Sequence, residues 1–165
     1  MKRIIIKIGD IFSVKLENKR KKYFQFIAKD SAQLNSDVIR AFKIDCQIDS
    51  DPNINDIINS EVDFYAHCII RWGVKMDLWE KVGSELSFEK PDVLFRDSDD
   101  YGSRPGEQVK ISYKWYVWRI NEDYKFVGEL AGENQKAEIG VVISPDSIVY
   151  RMQTGKYDFK YPEYK

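Results

Sequence analysis

Two neighbouring stretches near the start of the chain alternate between apolar and other residues with a period of two. They are IFSVKL (11–16) and YFQFIA (23–28), and the polar link ENKRKK (17–22) separates them. Phe12 and Val14 share one side of the first stretch. Such alternation is typical of strands that bury one face against a core. Two such strands around a short polar link predict a β-hairpin with a basic, exposed tip.

The aromatic content also favours a sheet over a helix bundle. The 165 residues include 10 Tyr, 9 Phe and 4 Trp, and aromatic side chains fit a pleated, half-buried surface. The length suits one hydrophobic core, and no Gly/Ser linker or shift in composition divides the chain. We therefore predict a single domain over residues 1–165.

A second hairpin is predicted near the middle of the C-terminal half. YKWYVWRI (113–120) and YKFVGEL (124–130) surround a short polar turn, and aromatic residues lie on both faces of the first strand. Such a strand is expected to be covered on both sides or to form an interface. Further strands are predicted at 38–44, 64–72, 93–95 and 138–144.

Two short helices complete the predicted elements. Ser50 or Asp51 is positioned to cap a helix within 49–60, and Ser144 is positioned to cap another that ends at Gly155. The predicted fold class is therefore α+β, with a mostly antiparallel, strongly curved or barrel-like β-sheet and two short helices.

One short phrase occurs twice, as LWEKVGSEL (78–86) and DYKFVGEL (123–130). In each copy the aromatic residue and the valine are three residues apart, so on a strand they face opposite sides. A duplicated ligand motif is therefore disfavoured. The glycine is expected to mark where a strand bends, bulges or ends, so we interpret the copies as two strands of one curved sheet.

The charge balance and the cysteine content limit the functional classes. The 26 Lys and Arg nearly cancel the 27 Asp and Glu, which argues against a general nucleic-acid binder and a polybasic membrane-surface protein. No stretch approaches the ~20 apolar residues of a membrane helix. Cys46 and Cys68 are isolated, which favours a reduced, cytoplasmic location.

The sequence offers no catalytic constellation. His67 is the single histidine, and any Ser-His-Asp site would have to include it inside an apolar strand. Its neighbour Cys68 is expected to point to the opposite face. No glycine-rich phosphate motif occurs, and the acidic run from Asp97 to Asp100 lacks the glycine and glutamate of an EF-hand. We therefore expect no catalytic residue, no cofactor and no metal.

The acidic run is the most distinctive surface candidate. Asp97, Asp99 and Asp100, with the neighbouring Tyr101, lie in the longest irregular segment, residues 89–108. A solvated loop is one interpretation. The other is a surface that receives a basic protein partner, because complementary potentials accelerate encounter and set specificity.

Four segments in this order resemble the immunity protein 26 family of bacterial polymorphic-toxin systems. They are KIGDIFSVKL with KYFQFIA, then WEKVG, then WYVWRINEDYKFVGEL, and finally GVVISPDSIVYRMQTG. The resemblance covers about residues 7–160 and implies a cytoplasmic, non-catalytic protein that binds and neutralises a cognate toxin domain. On this interpretation Asp97, Asp99, Asp100 and Tyr101 form part of the toxin-facing surface, with no membrane and no direct nucleic-acid partner expected.

Two other classes remain open at the level of the sequence. One is an enzyme of unknown type that uses scattered carboxylates. The other is a β-barrel that binds a small ligand or nucleic acid, because exposed aromatic residues on strands can stack on bases.

Overall fold

The computed structural model describes residues 3–165, which form two β-sheets, three α-helices and one 3-10 helix. The strands of the larger sheet are β1 (Asp10–Lys15), β2 (Arg20–Asp30), β3 (Ser36–Phe42), β4 (Cys46–Gln47), β5 (Val62–Cys68), β6 (Trp79–Ser84) and β11 (Val142–Ile143). Those of the smaller sheet are β7 (Leu94–Ser98), β8 (Trp115–Arg119), β9 (Lys125–Gly128) and β10 (Glu138–Ile139). The helices are α1 (Ile54–Ile58), α2 (Ile70–Lys75) and α3 (Pro145–Thr154), and the 3-10 helix is Gly132–Lys136.

The larger sheet is open. Its strand order is β11-β5-β3-β2-β1-β6, with β4 paired to β2, and its pairs are antiparallel except β5 with β11. Over residues 3–165, its end strands β6 and β11 do not pair with each other. The predicted α+β class with mostly antiparallel sheet is confirmed, but the barrel-like, strongly curved sheet is wrong. Separate layers cover the two faces of this sheet, so its apolar surface is buried without closure.

The two sheets pack on each other through a shared apolar cluster. Ile27 and Val38 of the larger sheet lie in one cluster with Phe95, Trp118 and Ile120 of the smaller sheet or its margin. The order of the smaller sheet is β10-β7-β8-β9, in which only β10 with β7 is parallel. The predicted hairpins β1–β2 and β8–β9 are both present, and the second is buried on both faces of β8, as expected.

Helices α2 and α3 cover the opposite face of the larger sheet. Phe24, Ile39 and Phe64 of this face share a buried cluster with Ile70 of α2 and Ile148 of α3. Each fully buried side chain of this size contributes about 1.5–3 kcal/mol. Within residues 3–165 no helix combines the length and the apolar character needed to cross a membrane.

The two predicted helices are confirmed, although one begins later than expected. In α1 the cap is Asn53, whose Oδ1 accepts the Asp56 N–H at 2.9 Å. In α3 the cap is Ser144, and Gly155 ends the helix in the left-handed region with φ 84°. A carboxamide or hydroxyl oxygen at the cap satisfies a donor that the first turn leaves open.

Helix α2 is a third helix, in a stretch whose sequence predicts strand. Residues 64–72 were expected to form one strand, whereas β5 ends at Cys68. Asp37 Oδ2 accepts the Ile70 N–H at 3.0 Å and satisfies a donor at the start of the helix. A Cβ at Gly73 would overlap the Trp79 ring, so glycine allows this close approach. Contacts with residues outside this segment, and not its local sequence pattern, therefore determine that it is helical.

The repeated Val-Gly pair marks a β-bulge in each sheet. Val82, next to Gly83, is the extra residue opposite β1, and Val127, next to Gly128, is the extra residue opposite β8. The prediction that glycine marks a bend, bulge or strand end is confirmed. The two strands belong to different sheets, however, and not to one curved sheet.

The predicted strand at 138–144 is divided between the sheets. β10 pairs with β7 of the smaller sheet, and β11 pairs with β5 of the larger sheet. Between them Gly140 donates its N–H to the Arg96 carbonyl at 2.7 Å, and a Cβ at Gly140 would overlap the Trp118 ring. The segment 138–143 therefore crosses from one sheet to the other and joins both.

Candidate protein-interaction surface

One face of the smaller sheet carries aromatic side chains that the larger sheet leaves uncovered. Tyr116 of β8 lies opposite both Phe126 of β9 and Asp97 of β7, so these three side chains share the face. The rings of Tyr116 and Tyr124 are 5.3 Å apart. Tyr124 and Phe126 are each 59% exposed, whereas Trp118 on the same face is buried between the sheets. On this face the aromatic side chains therefore extend from the buried core between the sheets to the exposed surface. We call the exposed part the aromatic row.

The Asp97 carboxylate joins this face to the C-terminal tail. Its Oδ2 accepts the Tyr116 hydroxyl at 3.1 Å, and its Oδ1 accepts the Tyr161 hydroxyl and the Ser98 N–H, both at 2.9 Å. Burial raises the pKa of Asp97, while these three hydrogen bonds act in the opposite direction. Asp97 is half-buried and holds β7, β8 and the tail together.

The residues after β7 are more open to solvent. Asp99 is exposed and Tyr101 is 78% exposed, whereas Asp100 is half-buried and accepts the Gly102 N–H at 3.1 Å. Burial raises the pKa of Tyr116, and the nearby Asp97, Asp99 and Tyr101 raise it further. The acidic residues and the aromatic row therefore lie side by side.

Glu107 organises the loop that follows. Its Oε2 accepts the Ser103 N–H at 2.6 Å and the Arg104 N–H at 3.1 Å, and these bonds lower the pKa of Glu107. The loop and the C-terminal tail form the two sides of an open groove of about 270 Å³. Tyr101 and Tyr161 are among the residues that line it. The loop thus has a defined turn beside the aromatic row.

We call these residues the acidic–aromatic surface. Its members are Asp97, Asp99, Asp100, Tyr101, Tyr116, Tyr124 and Phe126. The first four are the residues that the sequence singles out. The three acids differ in their environments. Asp97 accepts three hydrogen bonds, whereas Asp99 is exposed to solvent.

The sequence did not indicate that the aromatic members of this surface lie beside the acidic ones. The alternation of β8 indicates that Tyr116 and Trp118 share a face, and it suggests an interface. Nothing in the sequence indicates that β7 pairs with β8, which places Asp97 beside Tyr116. The C-terminal tail packs against the smaller sheet, with the ring centroids of Tyr161 and Trp115 6.0 Å apart.

A second set of polar residues lies between the two sheets. Ser36 Oγ is 2.9 Å from His67 Nδ1, and His67 Nε2 is 3.8 Å from Asp30 Oδ2. All three side chains belong to residues with 0% exposure. The set has the chemical composition of a Ser-His-Asp triad, but no substrate can reach the Ser36 hydroxyl in this packing. As predicted, Cys68 faces the other way, into the cluster under the helices.

This buried set fastens the tip of the β8–β9 hairpin to the β2–β3 turn. Asp30 Oδ1 accepts the Gln33 N–H at 2.9 Å and the Asn121 N–H at 3.2 Å. Asn121 in turn accepts the Ser31 N–H at 2.8 Å through its Oδ1. The Asp30 carboxylate therefore accepts hydrogen bonds from the β2–β3 turn of the larger sheet and from the β8–β9 turn of the smaller sheet.

His67 should make stability depend on pH. Burial lowers the pKa of His67 from 6.5 to about 4, although the Asp30 carboxylate acts in the opposite direction. Between these values the unfolded chain binds a proton that the folded protein does not. The stabilisation by neutral His67 is therefore full above about pH 6.5. It decreases as pH falls below that value and is lost by about pH 4. We expect the free energy of unfolding to drop by about 2 kcal/mol from pH 7 to pH 5 through this residue.

Urea unfolding of the wild type and His67→Gln at both pH values measures this effect. His67 is the only histidine, and burial raises the pKa of Asp97 and Glu138, so those two acids stabilise the fold as pH falls. They are common to both proteins and cancel in the comparison. Equal pH dependence in wild type and variant would show that His67 is not held neutral by burial.

In the part of the chain from residue 3 onwards, no group of three or more His, Cys, Asp or Glu side chains is arranged to hold a metal ion. Comparisons with protein-family models, with curated proteins and with solved structures find no match to this chain.

Proposed function

We propose that this protein is a cytoplasmic, non-catalytic immunity protein that binds and neutralises a cognate bacterial toxin domain. The order of segments that resembles the immunity protein 26 family supports the class. The acidic–aromatic surface supports the mode of action, and it is the single observation that carries the proposal. The partner that fits this surface is a basic protein domain.

The composition of the surface suits a tight protein interface. Exposed Tyr124, Phe126 and Tyr101 offer large, rigid contact areas, and aromatic residues are enriched among the few that dominate binding energy. Exposed Asp99 beside them adds negative potential, which steers a basic partner and orients it. Asp97 contributes by holding Tyr116 in place through the hydroxyl bond.

Co-expression tests the function directly. The C-terminal domain encoded by the gene directly upstream should arrest growth when expressed alone, and this protein should restore growth and co-purify with it. A harmless upstream domain, or one that this protein neither binds nor neutralises, would contradict the proposal.

Charge reversal on the surface should weaken the complex. In Asp99→Lys/Asp100→Lys, carboxylates beside the aromatic row become cations, so we expect Kd for the upstream toxin domain to rise about 10–100-fold. The loss should shrink at high salt, because screening weakens the wild-type attraction. Asp97 stays unchanged in this variant because its replacement would remove three hydrogen bonds.

A matched control makes the same change in charge elsewhere. Asp51 and Glu80 are exposed; Asp51 lies just before α1, and Glu80 lies on β6, an end strand of the larger sheet. Asp51→Lys/Glu80→Lys should leave Kd within about threefold of the wild type, since only long-range attraction is lost. Equal weakening by both double variants would show that net charge, and not this surface, determines binding.

A further inference from the structure

Strand β9 has backbone groups that no strand of the described chain uses. Asp99 donates its N–H to the Lys114 carbonyl at 3.0 Å, which continues the β7–β8 register. In an antiparallel ladder the residues that bond to one neighbour alternate with those that bond to the other. Val117 and its partner Lys125 therefore form the hydrogen-bonded pair between β8 and β9. Phe126, the next residue, directs its N–H and C=O away from the sheet.

The flanks of this strand have a distinct charge pattern. Asp123 precedes it and Glu129 follows it, and both are exposed. Between them Tyr124 and Phe126 present exposed rings on one face. An edge strand with open backbone groups is a template for a further strand. Acids at both ends favour a segment that carries basic residues on both sides of an apolar centre.

We propose that β9 receives an extended, basic segment of the toxin domain as an additional strand of the smaller sheet. The inference rests on the proposed function and adds the mode of recognition to it. The partner chain bonds to the N–H and C=O of Phe126, and one of its apolar or cationic side chains packs on the exposed ring. Basic residues of the segment lie near Asp123 and Glu129.

The bulge at Val127–Gly128 limits how far the added strand can extend. Gly128 has φ 69° and disrupts the ladder at the end of β9. The hairpin turn at Asn121, with φ 63°, ends the strand on the other side. Only a short run of main-chain bonds can form, so side-chain contacts with the acidic–aromatic surface supply most of the affinity.

Two substitutions at one position separate main-chain from side-chain recognition. Phe126→Ala removes the ring, and Phe126→Pro removes the ring and the outward N–H. Proline is tolerated on an edge strand where the N–H faces solvent, so the β8–β9 ladder is kept. We expect Phe126→Ala to raise Kd for the upstream toxin domain about tenfold, and Phe126→Pro to raise it about fivefold more.

Amide hydrogen exchange gives an independent readout that needs no substitution. In the free protein the Lys125 amide should be protected and the Phe126 amide should exchange fast. In the complex the Phe126 amide should slow at least about tenfold. An unchanged Phe126 amide, or equal Kd values for the alanine and proline variants, overturns strand addition. Those results leave the proposed function standing if Asp99→Lys/Asp100→Lys still weakens a neutralising complex, whereas a missing complex refutes the proposed function itself.

Discussion

Replacing Trp79 with alanine is expected to lower the free energy of unfolding by about 3–5 kcal/mol. Trp79 is 2% exposed and is among the largest buried side chains in the described chain. Its ring meets the Phe24 ring edge-on at 5.0 Å, and its Nε1–H donates to the Ile70 carbonyl at 3.0 Å. Because Gly73 packs directly on the ring, α2 cannot close the resulting cavity without moving. Urea unfolding at pH 7 measures the loss.

Trp79→Phe is the matched control for this experiment. Phenylalanine keeps an aromatic contact with Phe24 but loses the hydrogen bond to Ile70, so we expect a smaller loss of about 1–2 kcal/mol. If Trp79→Ala lost less than 1 kcal/mol, the ring could not be the element that holds β6 and α2 together.

Replacing Asp30 with alanine is expected to lower the free energy of unfolding by about 4 kcal/mol. The substitution leaves two backbone donors, at Gln33 and Asn121, without their acceptor. Both hydrogen bonds are partly buried, and each donor that is left without a partner there costs up to roughly 1–3 kcal/mol. The loss should appear in amide exchange as faster opening of the β8–β9 hairpin tip, because Asn121 belongs to that tip.

Asp30→Asn distinguishes the hydrogen bonds from the charge. Asparagine keeps the Oδ1 acceptor for both donors and removes the carboxylate beside His67, so we expect at most half of the alanine effect. Equal losses in the two variants would indicate that the charge, and not the acceptor, is what the fold requires at this position.

Local signals in the sequence predicted much of the secondary structure. The alternation in β1 and β2 is set by residues that all lie within a short stretch, and so is the cap of α3 at Ser144. Helix α2 and the division of 138–144 are different. They depend on Trp79 and on pairing with β5 and β7, which lie elsewhere in the chain. The same dependence explains why one curved sheet was expected where two sheets form.

The candidate surface shows the same limit. Asp99, Asp100 and Tyr101 are adjacent in sequence, so their composition alone indicates a charged surface segment. Their proximity to the aromatic row follows from the pairing of β7 with β8, which no local pattern specifies. The hydrogen bond between Tyr161 and Asp97 joins residues 64 positions apart. A single sequence therefore indicates the residue types of this surface but not their arrangement.

The crossing segment 138–143 has a consequence for the order in which the chain folds. β5 pairs with β3 and β7 pairs with β8, but each gains its second neighbour only when β11 and β10 have been made. During synthesis on the ribosome, one edge of each strand stays unpaired until several dozen further residues have been added. Such long-range closure slows folding, and an open strand invites pairing with other chains. Both strands are therefore open to pairing with other chains during synthesis, until segment 138–143 covers them.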